Sequence, residues 1–257
     1  MKKIRLLTIS ATCESGGSDI NLLRLLKNLD KNEYDILHLI PYPGPLADEF
    51  RNAGVRVEIA DMPRVRIFKN PLKYIIVLLR FFPTVFKIKN IISDNHIDIV
   101  CTSSMVNLYG ALAGRLAHKP HILVAGEYLF ILKLFSPYFY FSSEKIVCCS
   151  NIVSTMFPKS NKVTVIPHGI DMDEFSPDIN GKSIRGEFGI SGSLVGMITR
   201  LAPWKGIEVF IKAANYIDKD VKFAVIAEPV IGKEKYALKL KKIIERLGLK
   251  EKVLIKS

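Results

Sequence analysis

The 257-residue chain is 49% hydrophobic, enough to bury one large core or, the preferred reading, two smaller ones, since domains commonly run to roughly 100–150 residues. Its 37 Lys and Arg against 25 Asp and Glu leave a net charge of +12, which favours an anionic partner: a nucleotide, a phosphorylated lipid, a membrane surface or nucleic acid. The cysteines Cys13, Cys101, Cys148 and Cys149 form no C-x-x-C pair and no zinc-spaced cluster with histidine, so a disulfide scaffold and a zinc site are excluded in favour of a reduced, cytoplasmic protein.

The opening MKKIRLLTIS joins basic residues to a short apolar run, and Glu14, Gly16, Gly17 and Asp19 follow at once. It therefore reads as a first strand rather than a signal peptide, and no stretch reaches the roughly 18 apolar residues of a spanning helix. Strands are predicted at 4–10, 35–40, 55–60, 98–101, 121–125 and 145–149. Helices are predicted between them at 19–29, 45–53, 71–93, 106–117 and 128–141. This alternation implies a parallel sheet covered on both faces. A short strand at 162–166 and the irregular PHGIDMDEFSP precede a second series: strand 194–199, helix 205–217, strand 222–227, helix 233–247 and strand 252–255. The expected fold is α/β, with a doubly wound domain at 1–165 and a smaller one at 166–257.

The segment from Arg64 to Lys89 carries seven basic residues and no acid, interleaved with apolar side chains such as Ile75, Leu79 and Phe86. Such a helix can lie on an anionic bilayer. It can equally pack against the sheet, and core packing is the simpler reading because a parallel sheet needs apolar helices. Nucleic acid is not expected as a partner, because no binding motif accompanies the charge.

Two stretches suit an anion. After the first strand, Gly16 and Gly17 lead into a helix expected to be capped by Ser18 or Asp19. Glycines let backbone N–H groups approach a phosphate or sugar, although an ordinary tight turn needs no other explanation. Further on, LVGMITRLAPWKG places Arg200 at the end of an apolar run and Lys205 at the start of a helix, where a parallel sheet presents ligands. Two cations on a surface are usually solvated, but Pro203, Trp204 and Gly206 shape this turn and favour a diphosphate site.

These motifs resemble the retaining glycosyltransferases of group 1, or family 4, which have the GT-B fold. IPHGIDMDEF is similar to the interdomain signature I-P-N-G-[VI]-D followed by Phe, and GMITRLAPWKGIEVFIKAA to the donor-site signature. GGSDINLLRLLKNL resembles the N-terminal glycine loop, and KIVCCSNIVSTMF the apolar strand ending in Ser150. The resemblance implies two Rossmann-like domains facing a cleft. A nucleotide-sugar donor and a glycan or lipid-linked acceptor would be the substrates, with no cofactor and no metal, at a cytoplasmic site with peripheral contact on the inner face of an anionic membrane. Arg200 and Lys205 would hold the donor diphosphate, with Gly16 and Gly17 lining the cleft from the other domain, and no protein nucleophile would be needed.

Three departures stand out. The family's histidine after the fifth strand is replaced by Gly126, with Glu127 beside it as the candidate catalytic or hydrogen-bonding group. His121 lies too early and is expected to point into the sheet. AVIAEPVIG replaces a glycine-rich turn, with Pro229 stiffening it and Glu228 keeping the acidic donor-binding position. The family's E-x7-E segment would lie beyond Ser257, so the second domain is expected to be incomplete, marginally stable and apolar on its surface. The alternative is a non-catalytic remnant or a nucleotide- or partner-binding module. A sugar-nucleotide epimerase fits the RLAPWKG stretch less well.

Overall fold

The computed structural model describes residues 2–14, 16–63, 72–217, 220–228 and 234–256. The chain divides within the interdomain signature into two compact units, Met1–Ile170 and Asp171–Ser257.

The first unit runs β1 (Ile4–Ile9), α1 (Gly17–Asn28), β2 (Tyr34–Ile40), α2 (Ala47–Asn52), β3 (Arg56–Ile59), α3 (Leu72–Asp94), β4 (Ile99–Ser103), α4 (Tyr109–Leu116) and β5 (His121–Ala125). A 3-10 helix at Phe130–Phe135 then leads into α5 (Ser136–Ser142), β6 (Lys145–Cys148), α6 (Asn151–Ser154) and β7 (Val163–Val165). The sheet order is β3-β2-β1-β4-β5-β6-β7, and every neighbouring pair is parallel. Because successive side chains of a strand point to opposite faces, β2 can fill two cores. Leu37 and Leu39 join Val85, Ile88, Ile92 and Tyr109 of α3 and α4, while Ile36 and Ile40 join Leu22, Leu26 and Phe50 of α1 and α2.

The sequence reading gave the first sheet six strands; the seventh, β7, is held by backbone bonds from Ile146 to Lys162 and from Ile166 to Cys148. Its valines pack with Met156 and Phe157. Helix α3 packs into the core through residues of its second half. Val85, Ile88 and Ile92 are fully buried, whereas Ile75, Ile76, Leu78, Leu79 and Phe82 stand exposed, Leu79 by 70%. Residues 64–71 of that segment lie outside the described residues. No helix among the described residues is long and apolar enough to cross a membrane.

The second unit runs α7 (Lys182–Glu187), β8 (Ser193–Arg200), a 3-10 turn at Pro203–Lys205, α8 (Ile207–Ala214), β9 (Val221–Glu228), α9 (Glu234–Arg246) and β10 (Val253–Lys256). Its three parallel strands lie in the order β10-β9-β8. Ile207, Ile211 and Ala214 of α8 meet Tyr236, Leu240 and Ile244 of α9 over Phe223, Val225 and Val253 of the sheet, and Glu208 pairs with Lys239 at 2.7 Å between the helices. The edge strand β8 turns Met197 toward this core and leaves Ile198 83% exposed on its other face.

Candidate active site

In the first sheet β1 pairs with both β2 and β4, the point where the strand order reverses and where α/β sheets open a crevice at their carboxyl ends. The loop after β1 is tied down there. Asp19, in the first turn of α1, is buried and accepts hydrogen bonds from Thr12 Oγ1 (2.5 Å) and the Glu14 N–H (3.1 Å). Burial pushes its carboxyl above the usual range, and those bonds pull it part of the way back. The N-cap is Gly16, without a side-chain cap, so neither Ser18 nor Asp19 has the expected capping role. Asp19 is spent on the preceding loop instead.

Gly17 is exposed, and a Cβ built on it would meet no atom within 4 Å. The approach to α1 is open there, and first-turn N–H groups have no intrahelical acceptor. Gly44 is the opposite case: a Cβ there would come within 1.8 Å of the Cys13 carbonyl oxygen. The loops after β1 and β2 are further joined by Tyr42 Oη, which donates to Glu14 Oε1 at 2.8 Å. At the end of β4, Ser104 has a φ of 81°, and Asn107 Nδ2 donates to the Ser10 carbonyl at 3.3 Å. Gly44 and Asn107 escaped the sequence reading, though Gly44 is flagged by its place between Pro43 and Pro45, and Asp19 was expected as a cap rather than as an anchor of the loop.

Along the same edge, Gly126 and Glu127 follow β5, Cys149 and Ser150 follow β6, and His168 follows β7. Cys149 Sγ donates to the Gly126 carbonyl at 3.4 Å. Glu127 Oε2 is buried and has no hydrogen-bond partner. His168 Nε2 lies 3.8 Å from where a Gly126 Cβ would be. His121 does point into the sheet: Thr102 Oγ1 and Ser143 Oγ flank its ring nitrogens at 2.8 and 2.9 Å, and burial lowers its pKa to about 3. Cys101 and Cys148 are buried thiols whose pKa values are pushed up to about 12 and about 11 by desolvation.

In the second unit Arg200 is the last residue of β8 and stands in register with Glu228, the last of β9. Leu201 and Ala202 are buried, then Pro203, Trp204 and Lys205 form an exposed 3-10 turn, and Ile207 is buried again. The turn is therefore anchored at both ends and projects its middle into solvent. Gly206 joins it to α8 at a φ of 72°, a left-handed conformation that favours glycine. The Gly206 carbonyl accepts from Val209 and Phe210, both at 3.0 Å. Arg200 and Lys205 are thus held on either side of one turn at the carboxyl edge of a parallel sheet. Lys205 closes the turn rather than opening the helix, which starts at Ile207. The Glu228 side chain and Pro229 lie outside the described residues.

The sequence model of Glycosyltransferase Family 4 matches residues 15–174, more than half of the chain. The chain belongs to glycosyltransferase family 4. An Escherichia coli relative, UDP-Gal:alpha-D-GlcNAc-diphosphoundecaprenol alpha-1,3-galactosyltransferase, is 25% identical over 210 residues, covering 74% of this chain and 51% of that protein. The chain thus spans about half the length of that curated relative. Among solved structures, Anabaena HepE in complex with UDP and glucose superposes with a TM-score of 0.78 at 19% identity, over 99% of this chain and 70% of that one. A glycosyltransferase from Rickettsia africae gives 0.75 at 19% identity, over 100% and 68%. Sucrose-phosphate synthase from Thermosynechococcus elongatus gives 0.74 at 12%, over 99% and 70%. At these identities the likeness shows the fold: two Rossmann-like parallel-sheet units of the GT-B type, the second built here on three strands.

Proposed function

We propose that the chain carries the machinery of a retaining glycosyltransferase that moves a sugar from a nucleotide-sugar donor to a glycan or lipid-linked acceptor. The observation that carries this reading is the pair Arg200 and Lys205 flanking one turn at the carboxyl edge of β8 in a family 4 chain. As the sugar C1–O bond to the diphosphate breaks, negative charge develops on the leaving phosphate oxygen, and cations already fixed there lower the barrier without reorganising. The acceptor oxygen bonds to C1 on the face the diphosphate leaves, and a donor phosphate oxygen takes its proton. Retention follows without a protein nucleophile, and the two cations supply the charge compensation that would otherwise call for a metal.

Gly17, next to the N-cap Gly16, leaves the N-terminus of α1 open to phosphate or sugar, Glu127 has an unsatisfied carboxylate oxygen, and Glu228 stands beside Arg200 in register. HepE binds UDP and glucose, which makes UDP-sugars the first donors to try. A lipid-linked acceptor is supported by the apolar surface of the first unit. The exposed half of α3 carries Arg80 beside Leu78, Leu79 and Phe82, and directly after Glu127 come the exposed Tyr128, Leu129, Phe130, Ile131 and Leu134. Apolar side chains with neighbouring cations suit the surface of an anionic bilayer, which supports a peripheral position on the inner, cytoplasmic face. Incubating the chain with UDP-glucose or UDP-galactose and a lipid-linked saccharide tests the reading. A product with the donor's anomeric configuration by NMR is expected, and an inverted product contradicts it.

A further inference from the structure

One groove of the first unit has apolar walls that carry lysines and no acid. Residues 128–143, which hold the 3-10 helix and α5, contain no Asp or Glu, and neither do residues 149–170, which hold α6 and β7. Between α5 and the loop after α6 lies a groove of about 460 Å³. Tyr140 and Phe141 line it from α5, Met156, Phe157 and Pro158 line it from the loop, and Lys133 is its first lining residue after β5. Met156 and Phe157 are buried in one core with Leu132 and Phe139, so the apolar floor is fixed, while Lys133, Phe141 and Pro158 are exposed at the rim. The end of α5 is tied down by other cations: Lys162 Nζ donates to the Tyr140 and Ser143 carbonyls at 3.2 and 3.0 Å, and Arg115 Nη1 to the Phe141 carbonyl at 3.1 Å.

Beside the groove, Phe130, Leu134 and Phe141 are exposed by 82%, 70% and 71%, at spacings that put them on one side of a helical stretch. Apolar surface gathered in this way marks an interaction site rather than ordinary surface. Resting on the lipid-linked acceptor of the proposed function, we propose that the groove holds the hydrocarbon chain of that acceptor, with its phosphate against Lys133. The apolar floor suits a hydrocarbon, and walls with cations and no carboxylate suit the anionic group attached to it. Position selects the acceptor's chain over that of a bilayer lipid. The stretch begins directly after Glu127 at the carboxyl edge of the sheet, and α5, which joins two parallel strands, must run back toward the opposite edge. A lipid whose saccharide stands at the carboxyl edge therefore has its phosphate at the start of the stretch and its chain along α5. A bilayer lipid has no saccharide to bring it there.

The test is binding of farnesyl diphosphate, farnesol and UDP to the full chain by calorimetry. Thr155→Trp fills the groove from its exposed rim and should weaken both farnesyl probes about tenfold, the loss of roughly two buried methylene groups, while UDP binds as before. Phe141→Glu, also on the rim, should act in the same direction, so the result does not hang on one variant. Lys133→Gln should weaken farnesyl diphosphate and leave farnesol unchanged. With a lipid-linked saccharide as acceptor, Thr155→Trp should raise KM relative to that for the same saccharide without its lipid. Farnesyl diphosphate binding that is unaltered in both rim variants, or that UDP displaces, overturns the groove. An equal loss of binding to acceptor-free anionic vesicles in Thr155→Trp assigns the groove to bilayer lipid and overturns the acceptor chain. Absence of sugar transfer by the unsubstituted chain overturns the transferase reading and leaves the farnesyl result to decide whether the groove takes a hydrocarbon.

Discussion

Acidification should unfold the first unit through two histidines that are buried uncharged. His38 lies in β2 with Thr8 Oγ1 at 2.8 Å from Nδ1, its Nε2 without a partner and its ring centroid 4.3 Å from that of Phe50. Protonation would put a second donor into an apolar pocket that has no acceptor, so burial lowers its pKa from 6.5 to about 4. His121 is lowered by burial to about 3. Both folded values lie below the unfolded one. The stability they contribute is therefore fully present above about pH 6.5 and is lost as the pH falls toward the folded values. Integrating the shift gives roughly 2–3 kcal/mol lost per histidine between about pH 7.5 and 4.5, or roughly 5 kcal/mol together. That is a large share of the 5–15 kcal/mol of a typical domain. The raised carboxyl of Asp19 works in the opposite sense, because folding favours its protonated form, and offsets part of the loss. Hydrogen exchange of the β1 and β2 amides, corrected for intrinsic pH dependence, reads the local stability. His38→Phe keeps a ring against Phe50 and cannot titrate, so it should remove about half of the acid-dependent loss. An unchanged pH dependence in His38→Phe would refute the assignment of that loss to His38.

Gly44→Ala forces a methyl group against the Cys13 carbonyl and should destabilise the first unit by about 1–3 kcal/mol, the usual range for overpacking, read as a lower urea midpoint. Gly206→Ala places a side chain at a φ of 72°, a strain of about 1–2 kcal/mol, and should weaken UDP binding by displacing Lys205 while leaving the fluorescence of Trp204 that of a folded turn. Sedimentation with vesicles should show the chain on anionic bilayers and less of it on neutral ones; no binding to either would remove the membrane-surface reading, and Leu79→Glu should lower whatever binding is found.

Strand and helix order was legible because a doubly wound fold writes it plainly: buried parallel strands are nearly continuous apolar runs, as in ILHLI and HILVA, and amphipathic stretches separate them. Elements of one turn, α6 and α7, were not legible because four to six residues carry no helical period. β7 read as a restart of the chain rather than the edge of the first sheet, since a three-residue strand states nothing about its partner. In the candidate site, the positions of Arg200 and Lys205 followed from an apolar run ending in a turn. The roles of Asp19 and Gly44 did not, because each depends on a neighbour distant in sequence or on another loop: Thr12 and Glu14 for Asp19, and Cys13 for Gly44.

The central claim is that Arg200 and Lys205 hold a nucleoside diphosphate. Thermal stabilisation of the full chain by UDP, compared with Arg200→Ala and Lys205→Ala, tests it most directly. Each substitution removes charge-assisted hydrogen bonds worth about 1.5–3 kcal/mol, a weakening of roughly 10- to 150-fold. UDP should therefore raise the melting temperature of the unsubstituted chain and fail to do so for either variant at the same concentration. Equal stabilisation of all three proteins would contradict the account.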